Sequence, residues 1–449
     1  MTAFEDAVTT VRERVEPDAE ERERLRAVVA RLVERTESAA ADLPVEADVL
    51  QVGSTARGTW LSGDRDIDLF VRFPPDLDRE DLETYGLDVG HDVLPDGHEE
   101  FAEHPYVKGE FEGFDVDLVP CYRVESATDI RSAVDRTPFH TRYLEERLDD
   151  DLAADVRVCK QFLTGIDAYG SDLRTQGFSG YLTELLVLEH GGFRDLLSAA
   201  ADWHPPVRFD PEDHGTRTFD DPLVVVDPTD PERNVAAVLS SANLARFQHA
   251  ARQQLADPDP SAFFPAPPAP LSAADVREYL ADRGTTPVAL RFAAPDVVED
   301  QLYPQLQKSL SGVRDALDRR GFDVLRADLF ADESAVLLFE LSVAERPEIE
   351  RHEGPPVHVR EHATGFYESY ADGDAYGPFV DGDRYVVERP REFTSATALL
   401  ASDALFDAAL GVHVAEALRD EYEVLAGDEV ATLAEEFGVE LARYFHPGP

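Results

Sequence analysis

Two strand-like segments of this chain carry aspartates at every second position. Residues 66–73 read DIDLFVRF and residues 114–122 read FDVDLVPCY, and both end in apolar residues. Because the side-chain period of a strand is two, Asp66 and Asp68 share a face, and Asp117 on a neighbouring strand can join them. Three carboxylates partly removed from water are costly unless cations neutralise them. The pattern predicts a site on a sheet for two divalent ions about 3.5–4 Å apart, with Mg²⁺ the best suited.

A Gly-Ser turn precedes the first of these segments. The run GSTARGTWLSG follows a predicted strand, VEADVLQV. Gly53 would let the backbone approach a triphosphate, Ser54 would hold a phosphate oxygen, and Arg57 would reach the same group as a guanidinium clamp. The order Gly-Ser, Arg, Asp-x-Asp, Asp therefore predicts a nucleotidyltransferase.

The spacing of the acids is uninformative by itself. The chain has 92 Asp and Glu against 42 Lys and Arg, so about 18 acid pairs at i and i+2 are expected by chance. The Gly-Ser turn and the apolar residues beside the aspartates carry the signal. Asp64 and Asp115 lie two residues before Asp66 and Asp117, and we expect them to be exposed or structural.

The net charge of −50 occurs together with a hydrophobic fraction of 43%. Disorder requires few apolar residues as well as high charge, so this composition indicates packed domains. Only Lys108, Lys160 and Lys308 are lysines. An acidic, lysine-poor chain suits a cytoplasm at molar salt, where a Debye length of roughly 3 Å screens self-repulsion. We therefore expect a cytoplasmic protein of a halophilic archaeon.

The length of 449 residues is too great for one core and predicts two to four domains. Six prolines in residues 256–270 indicate a linker. We assign residues 1–140 to a mixed sheet with helices, residues 141–257 to a helical central domain, and residues 258–449 to an α/β C-terminal region. A β-α-β-β pattern in that region is typical of half of a ferredoxin-like or RNA-recognition fold.

Local signals place several helices. One covers roughly 151–164, and a second begins at the Ser179 cap and ends at Gly191. A third is predicted through residues 234–255, and the last 55 residues read as largely helical. Neither Cys121 nor Cys159 has a metal-binding or disulfide spacing, so we expect both to be buried as small apolar residues.

The chain resembles the archaeal, class I CCA-adding enzymes, which are tRNA nucleotidyltransferases of the DNA polymerase β superfamily. The matching stretches extend over most of the chain and include GSTARGTWLSG, HPYVKG, VDLVPCY, SAVDRTPFH, QGFSGYLTELL, VDPTDPERNVAA and LYPQL. The resemblance implies an α+β multidomain fold with a polymerase β-like palm and a C-terminal tRNA-binding region. It implies stepwise addition of C, C and A to a tRNA 3′ end from CTP and ATP. One departure is that Asp66 stands where this family often has Glu.

The resemblance also implies particular nucleotide contacts. It assigns the metal ligands and catalytic residues to the three aspartates, and nucleotide contacts to Ser54, Arg57, His140, Lys160 and Tyr169. Gly53 belongs to the same site through the backbone approach described above, and Arg233 is expected to help read the base edge through bidentate donors. From the sequence alone, Lys160 would be a solvated lysine opposite an apolar helix stripe.

Several alternatives remain open from the residues. A poly(A) polymerase or an oligoadenylate-type synthetase would share the palm, a small-molecule nucleotidyltransferase would share the motif, and an inactive RNA-binding scaffold would share the fold. The expected partners are the tRNA 3′ end, ATP and CTP, with no membrane. A homodimer is compatible with the sequence, which does not fix the number of subunits.

Overall fold

The computed structural model describes residues 2–101 and 103–448. The chain forms two compact units, Met1–Pro265 and Ala266–Gly448, which divide inside the proline-rich segment. Among the described residues, no helix combines the length and the apolar character needed to cross a bilayer.

The first unit contains nine named helices and eight strands in the described residues. Its helices are α1 (Ala3–Val15), α2 (Ala19–Ala41), α3 (Gly53–Arg57), α4 (Arg79–Val93), α5 (Thr137–Glu145), α6 (Asp150–Gly165), α7 (Gly180–His190), α8 (Phe193–Ala200) and α9 (Ser241–Ala256). Its strands are β1 (Asp48–Val52), β2 (Asp66–Phe73), β3 (His98–Phe101), β4 (Pro105–Phe111), β5 (Phe114–Tyr122), β6 (Val207–Phe209), β7 (Leu223–Asp227) and β8 (Asp230–Asn234).

A five-stranded mixed sheet of order β1-β2-β5-β4-β3 forms the palm of this unit. Strands β2 and β5 are parallel, and the other neighbours are antiparallel. The β4–β5 hairpin turns at Glu112 and Gly113, which both have positive φ, at 54° and 81°. Alternation gives the sheet one apolar face, with Leu69 and Leu118 fully buried, and helices α2 and α4 cover it. The aspartates therefore lie on the opposite face.

The helices after the palm share a second core, to which α1 contributes Phe4 and Val11. Helices α6 and α7 follow the predicted segments closely, and Ser179 caps α7 as expected. The third predicted helix starts later than expected, because the Asn234 side chain accepts the amides of Val225 and Ala236 and keeps its segment beside β7. Helix α9 begins only after its Ser240 cap.

The second unit contains the remaining elements. Its helices are α10 (Ala273–Arg283), α11 (Glu299–Arg319), α12 (Arg360–Tyr370), α13 (Ala396–Leu400), α14 (Val412–Asp420) and α15 (Ala434–Phe445). Its strands are β9 (Thr286–Ala293), β10 (Val324–Ala331), β11 (Ser334–Leu341), β12 (Ile349–Pro356), β13 (Tyr376–Asp381), β14 (Arg384–Pro390) and β15 (Tyr422–Ala426).

The main sheet of this unit has the order β10-β11-β9-β15, and every pairing is antiparallel. With α11 between β9 and β10, and α14 before β15, this is the complete ferredoxin-like arrangement whose first half the sequence predicted. Strand β15 lies within the last 55 residues, which are thus less uniformly helical than expected. Helices α11 and α14 cover one face. Helices α10 and α15 cover the other, so this sheet offers no open face for stacking RNA bases.

Strands β12, β14 and β13 form a separate small sheet, which sequence analysis did not anticipate. Helix α12 packs against it through Phe366, whose ring lies near His352 and Tyr370. Tyr376 and Phe379 on β13 are exposed.

Candidate active site

The parallel pairing of β2 with β5 brings the three predicted metal ligands together. Asp68 lies opposite Asp117, and Asp66 lies opposite Asp115. Asp66 is exposed, whereas Asp68 and Asp117 are half-buried. In the described part of the chain, no three His, Cys, Asp or Glu side chains already close around one point. The aspartates therefore share a sheet face without forming a closed cluster.

The pKa values of these aspartates are raised. Burial raises the pKa of Asp68 to about 6, helped by the charges of Asp117 and Asp66. Burial also raises the pKa of Asp117, although Lys108 opposes the rise from 3.5 Å away. The pKa of Asp66 is raised by burial and then by the neighbouring acids Asp64 and Asp115. This edge of the sheet therefore has unbalanced negative charge.

The Gly-Ser turn lies directly against the aspartates. Gly53 has φ +78°, and a Cβ added to it would fall 1.9 Å from Asp68 Oδ2. Any side chain here would occupy the space of the carboxylate, so glycine is required for this close approach. The carbonyl of Ser54 accepts the amide of Thr59. The Ser54 hydroxyl has no hydrogen-bond partner among the described residues, and its oxygen is not buried. It is therefore open to solvent.

The residues of this edge fit divalent cations. Carboxylate oxygens are the ligands that Mg²⁺ prefers, and the Gly53 turn provides the space in which Asp68 sits. Bound cations would stabilise the ionised form of these three carboxyls and so lower their raised pKa values.

Arg57 is held by a carboxylate that sequence analysis did not identify. Its Nε and Nη2 donate to Glu184 Oε1 and Oε2 at 3.0 and 2.8 Å, a bidentate pair. Glu184 is fully buried and also accepts the Thr59 hydroxyl. Burial alone would raise the pKa of Glu184, but the charges of Arg57 and Lys160 outweigh it and lower this pKa. The guanidinium is thus fixed in the protein beside the Gly-Ser turn.

Lys160 is buried, which corrects the expectation of a solvated lysine. Its Nζ donates to the carbonyl oxygen of Thr59 at 3.0 Å, and burial lowers its pKa while Glu184 opposes the change. A Cβ at Gly180 would lie 3.2 Å from the Tyr169 hydroxyl and 3.9 Å from Lys160 Nζ. Lys160 and Tyr169 also line one cavity of about 410 Å³. Lys160 and Tyr169, both predicted to contact the nucleotide, therefore lie close together.

His140 and Arg233 meet at a second unpredicted carboxylate, Asp227. His140 Nε2 and Arg233 Nη1 both lie 2.8 Å from Asp227 Oδ2. The His140 ring stacks on Tyr181, with the centroids 4.0 Å apart and an interplanar angle of 18°. The two carboxylate clusters are adjacent, because Arg57 Nη1 donates to the Thr141 hydroxyl.

Every predicted site residue lies in the first unit. The predicted residues form three groups: the aspartates with Gly53 and Ser54, the set around Glu184, and the pair at Asp227. Glu184 and Asp227 had weak sequence signals, since each is a single acid in an otherwise apolar run, LTELLVL and LVVVD. As expected, Asp115 is exposed; Asp64 accepts the Leu61 amide.

Three family models match successive parts of the chain. The nucleotidyltransferase domain matches residues 33–140. The second domain of tRNA nucleotidyltransferases matches residues 154–264, and the C-terminal domain of CCA-adding enzymes matches residues 283–427.

Curated relatives match over the whole length. A CCA-adding enzyme of Haloarcula marismortui is 63% identical over 99% of both chains. A CCA-adding enzyme of Methanoregula boonei is 46% identical over 96% of this chain and 93% of its own. Among solved structures, the Cid1 poly(U) polymerase with Mg and 3′-dATP bound aligns over 58% of this chain and 98% of its own, at 18% identity and a TM-score of 0.43. With full-length relatives at 63% and 46% identity, the chain belongs to the CCA-adding enzyme family.

Proposed function

We propose that this chain adds C, C and A in turn to the 3′ end of tRNA, taking CTP and ATP as substrates and using no template. Family membership supports the reaction, and full-length relatives do not favour a poly(A) polymerase or an inactive scaffold. The observation that carries the chemistry is the parallel register that sets Asp68 opposite Asp117 beside the Gly53 turn.

We assign the metal ligands to Asp66, Asp68 and Asp117, with two Mg²⁺ ions. When bound, such ions would lower the pKa of the primer hydroxyl and neutralise charge on the triphosphate. The chain's own groups orient the reactants. The primer 3′-oxygen forms a bond to the α-phosphorus, the bond from that phosphorus to the β-phosphate bridge breaks, and pyrophosphate leaves. Asp117, on the primer side in this proposal, is placed to accept the hydroxyl proton.

The nucleotide contacts divide between the two carboxylate clusters. We assign the triphosphate to Ser54, Arg57, Lys160 and Tyr169, because a free hydroxyl and two cations lie around the turn that faces the aspartates. The Arg57 guanidinium keeps Nη1 and Nη2 hydrogens beyond those given to Glu184, so it can donate to phosphate without leaving its partner. His140 and Arg233 would contact the nucleoside.

Wider parts of the proposal follow from the sequence. We propose three functional domains at 1–140, 141–257 and 258–449, with the last binding tRNA, and a cytoplasmic location in a halophile. A homodimer also remains a proposal.

Addition to defined primers tests the function. The protein would be incubated at molar KCl with Mg²⁺ and tRNAs that end before CCA, after C or after CC, each with one labelled nucleotide. We expect two additions of C and then one of A, with no further extension. Continued ATP addition would instead indicate a poly(A) polymerase.

A further inference from the structure

The Asp227 carboxylate accepts hydrogen bonds from four residues, more than the single partner of an ordinary ion pair. Its carboxylate is fully buried at the end of β7. It accepts from His140 Nε2 and Arg233 Nη1, from the amide and hydroxyl of Thr229 at 2.9 and 2.8 Å, and from the Tyr181 hydroxyl at 3.4 Å. Burial alone would raise the pKa of Asp227, but the bonds from His140 and Thr229 and the charge of Arg233 hold it well below its ordinary value. Asp227 is therefore an ionised acceptor.

An ionised carboxylate fixes the tautomer of the histidine that contacts it. A carboxylate can only accept, so His140 Nε2 must carry the hydrogen. Burial lowers the pKa of His140, with the Asp227 carboxylate opposing the change. A neutral ring protonated on Nε2 has a lone pair on Nδ1, which can then only accept a hydrogen bond.

The acceptor nitrogen is held in place and open. His140 Nδ1 has no hydrogen-bond partner among the described residues, and the atom is not fully buried. The side chain is 12% exposed, and stacking on Tyr181 restricts rotation of the ring. Arg233, 36% exposed, keeps further donor hydrogens beside it. The cluster therefore presents one acceptor next to a set of donors.

We propose that Asp227 is a positioning residue for nucleotide recognition, which holds His140 so that Nδ1 accepts a hydrogen bond from a donor group of the incoming nucleotide. This inference rests on the proposed function. The donor is either a ribose hydroxyl or an exocyclic amino group. C and A both carry such an amino group where U and G carry a carbonyl oxygen, so the second source would contribute to base choice.

Substrate analogues distinguish the two sources. The wild-type chain, Asp227→Asn and Asp135→Asn would be compared by kcat/KM for CTP, for 2′-deoxy-CTP and for the CTP analogue that lacks the 4-amino group. Asp135 is a matched control, because it is equally buried and accepts only backbone amides, from Tyr122, Arg131 and Ser132. The variant Asp135→Asn should keep the wild-type discrimination whatever its stability.

We expect the wild-type chain to use one analogue at least about tenfold less efficiently than CTP, since the analogue leaves Nδ1 without its donor. In Asp227→Asn the ratio of kcat/KM for CTP to kcat/KM for that analogue should fall to within about twofold, because an amide can pair with either tautomer of His140. The ratio for the other analogue should not change. In a His140→Ala background, Asp227→Asn should have no further effect on the ratio.

Equal losses for CTP and both analogues would show a merely structural role and overturn the inference. If Asp227→Asn does not fold, ¹⁵N NMR of the wild-type chain tests the same point, with His140→Gln used to assign the signal. The expected spectrum has hydrogen on Nε2 and none on Nδ1 at neutral pH, and the opposite tautomer or an imidazolium overturns the inference. A wild-type chain that adds no C or A to tRNA would refute the proposed function instead.

Discussion

Negative charge is balanced differently in two regions of the molecule. One is the aspartate edge, formed by Asp66, Asp68 and Asp117 where β2 and β5 begin, and the other is the cluster around Glu184. The pKa of Asp68 is raised by desolvation, and the like charges of Asp117 and Asp66 raise it further. Glu184 is fully buried, and burial alone would raise its pKa, but the bidentate pair with Arg57 and the nearby charge of Lys160 lower it. Burial raises the pKa of both carboxyls; at Asp68 the neighbouring acids add to that rise, whereas at Glu184 the neighbouring cations outweigh it.

The difference separates two functions of acidic residues in this chain. Glu184 is neutralised by the protein itself and can act as a fixed support for Arg57 and Thr59. The aspartates have weaker compensation, from the half-exposed Lys108 and from the charge of Arg57, which does not prevent the rise in the pKa of Asp68. Their charge is therefore available to divalent cations. A region that binds cations should gain stability when a charge is removed, and a self-neutralised region should lose it.

Replacing Asp68 tests this contrast most strongly. In Asp68→Asn we expect nucleotide addition to fall by roughly four orders of magnitude, because a bound metal contributes several kcal/mol to the transition state. The free energy of unfolding without divalent ions should instead rise by about 1–3 kcal/mol at pH 7.5. Primer extension and denaturant unfolding at molar KCl would measure the two effects.

The sign of the stability change follows from the direction of the pKa shift. The pKa of Asp68 is about 6 in the folded chain against an ordinary 3.8, so this carboxyl destabilises the fold progressively as pH rises between those values and fully above them. Asp115→Asn, on the same face but exposed, should retain addition within a few-fold. If Asp68→Asn added nucleotides as fast as the wild-type chain, the assignment of Asp68 as a metal ligand would be wrong.

The second largest effect is expected at Glu184. Glu184→Gln keeps the shape but leaves Arg57 and Lys160 without their carboxylate, and breaking a buried ion pair costs about 3–5 kcal/mol. Denaturant unfolding at molar KCl would measure the loss. Glu112→Gln breaks the half-exposed pair with Arg31 and should cost less than about 1 kcal/mol. Similar losses in the two variants would contradict the special role of Glu184.

Several parts of these two regions could be predicted from the sequence. The period of two predicted that Asp66 and Asp68 share a face and that Asp117 on a neighbouring strand can join them, as the register shows. Arg57 and Lys160 were identified as site residues, but their partners were not. Glu184 is 127 residues from Arg57 in the chain, and the Thr59 carbonyl is 101 residues from Lys160.

Periodicity is a local property, so it cannot reveal such pairs. Helix α6 shows an apolar stripe that leaves Lys160 on the other side. The Thr59 segment, which follows α3, and helix α7 pack against that side and bury it. The resemblance to a known family supplied the residues, whereas the structure supplied the carboxylates that hold them.

Divalent ions should stabilise one region and leave the other unaffected. With Mg²⁺ at about one hundred times its dissociation constant, the wild-type chain should gain about 2.7 kcal/mol, and removal of the ion by a chelator should reverse the gain. Asp68→Asn should show little of it, whereas Glu184→Gln should show most of it from a lower baseline. Thermal unfolding at constant molar KCl measures these shifts. An equal gain in Asp68→Asn would place the ions elsewhere.

Lys108 should give the smallest effect, because it pairs with a single aspartate of this set, Asp117, and is partly exposed. Its Nζ lies 3.5 Å from Asp117 Oδ1, and its side chain is 38% exposed. In Lys108→Gln the free energy of unfolding should change by less than about 1 kcal/mol. The Mg²⁺ concentration that gives half of the thermal stabilisation at pH 8 should fall by about two- to fourfold, since a competing charge has left Asp117. Lys308→Gln, in the second unit, should leave this concentration unchanged. Weaker Mg²⁺ binding in Lys108→Gln would show that Lys108 supports the metal site instead of competing with it.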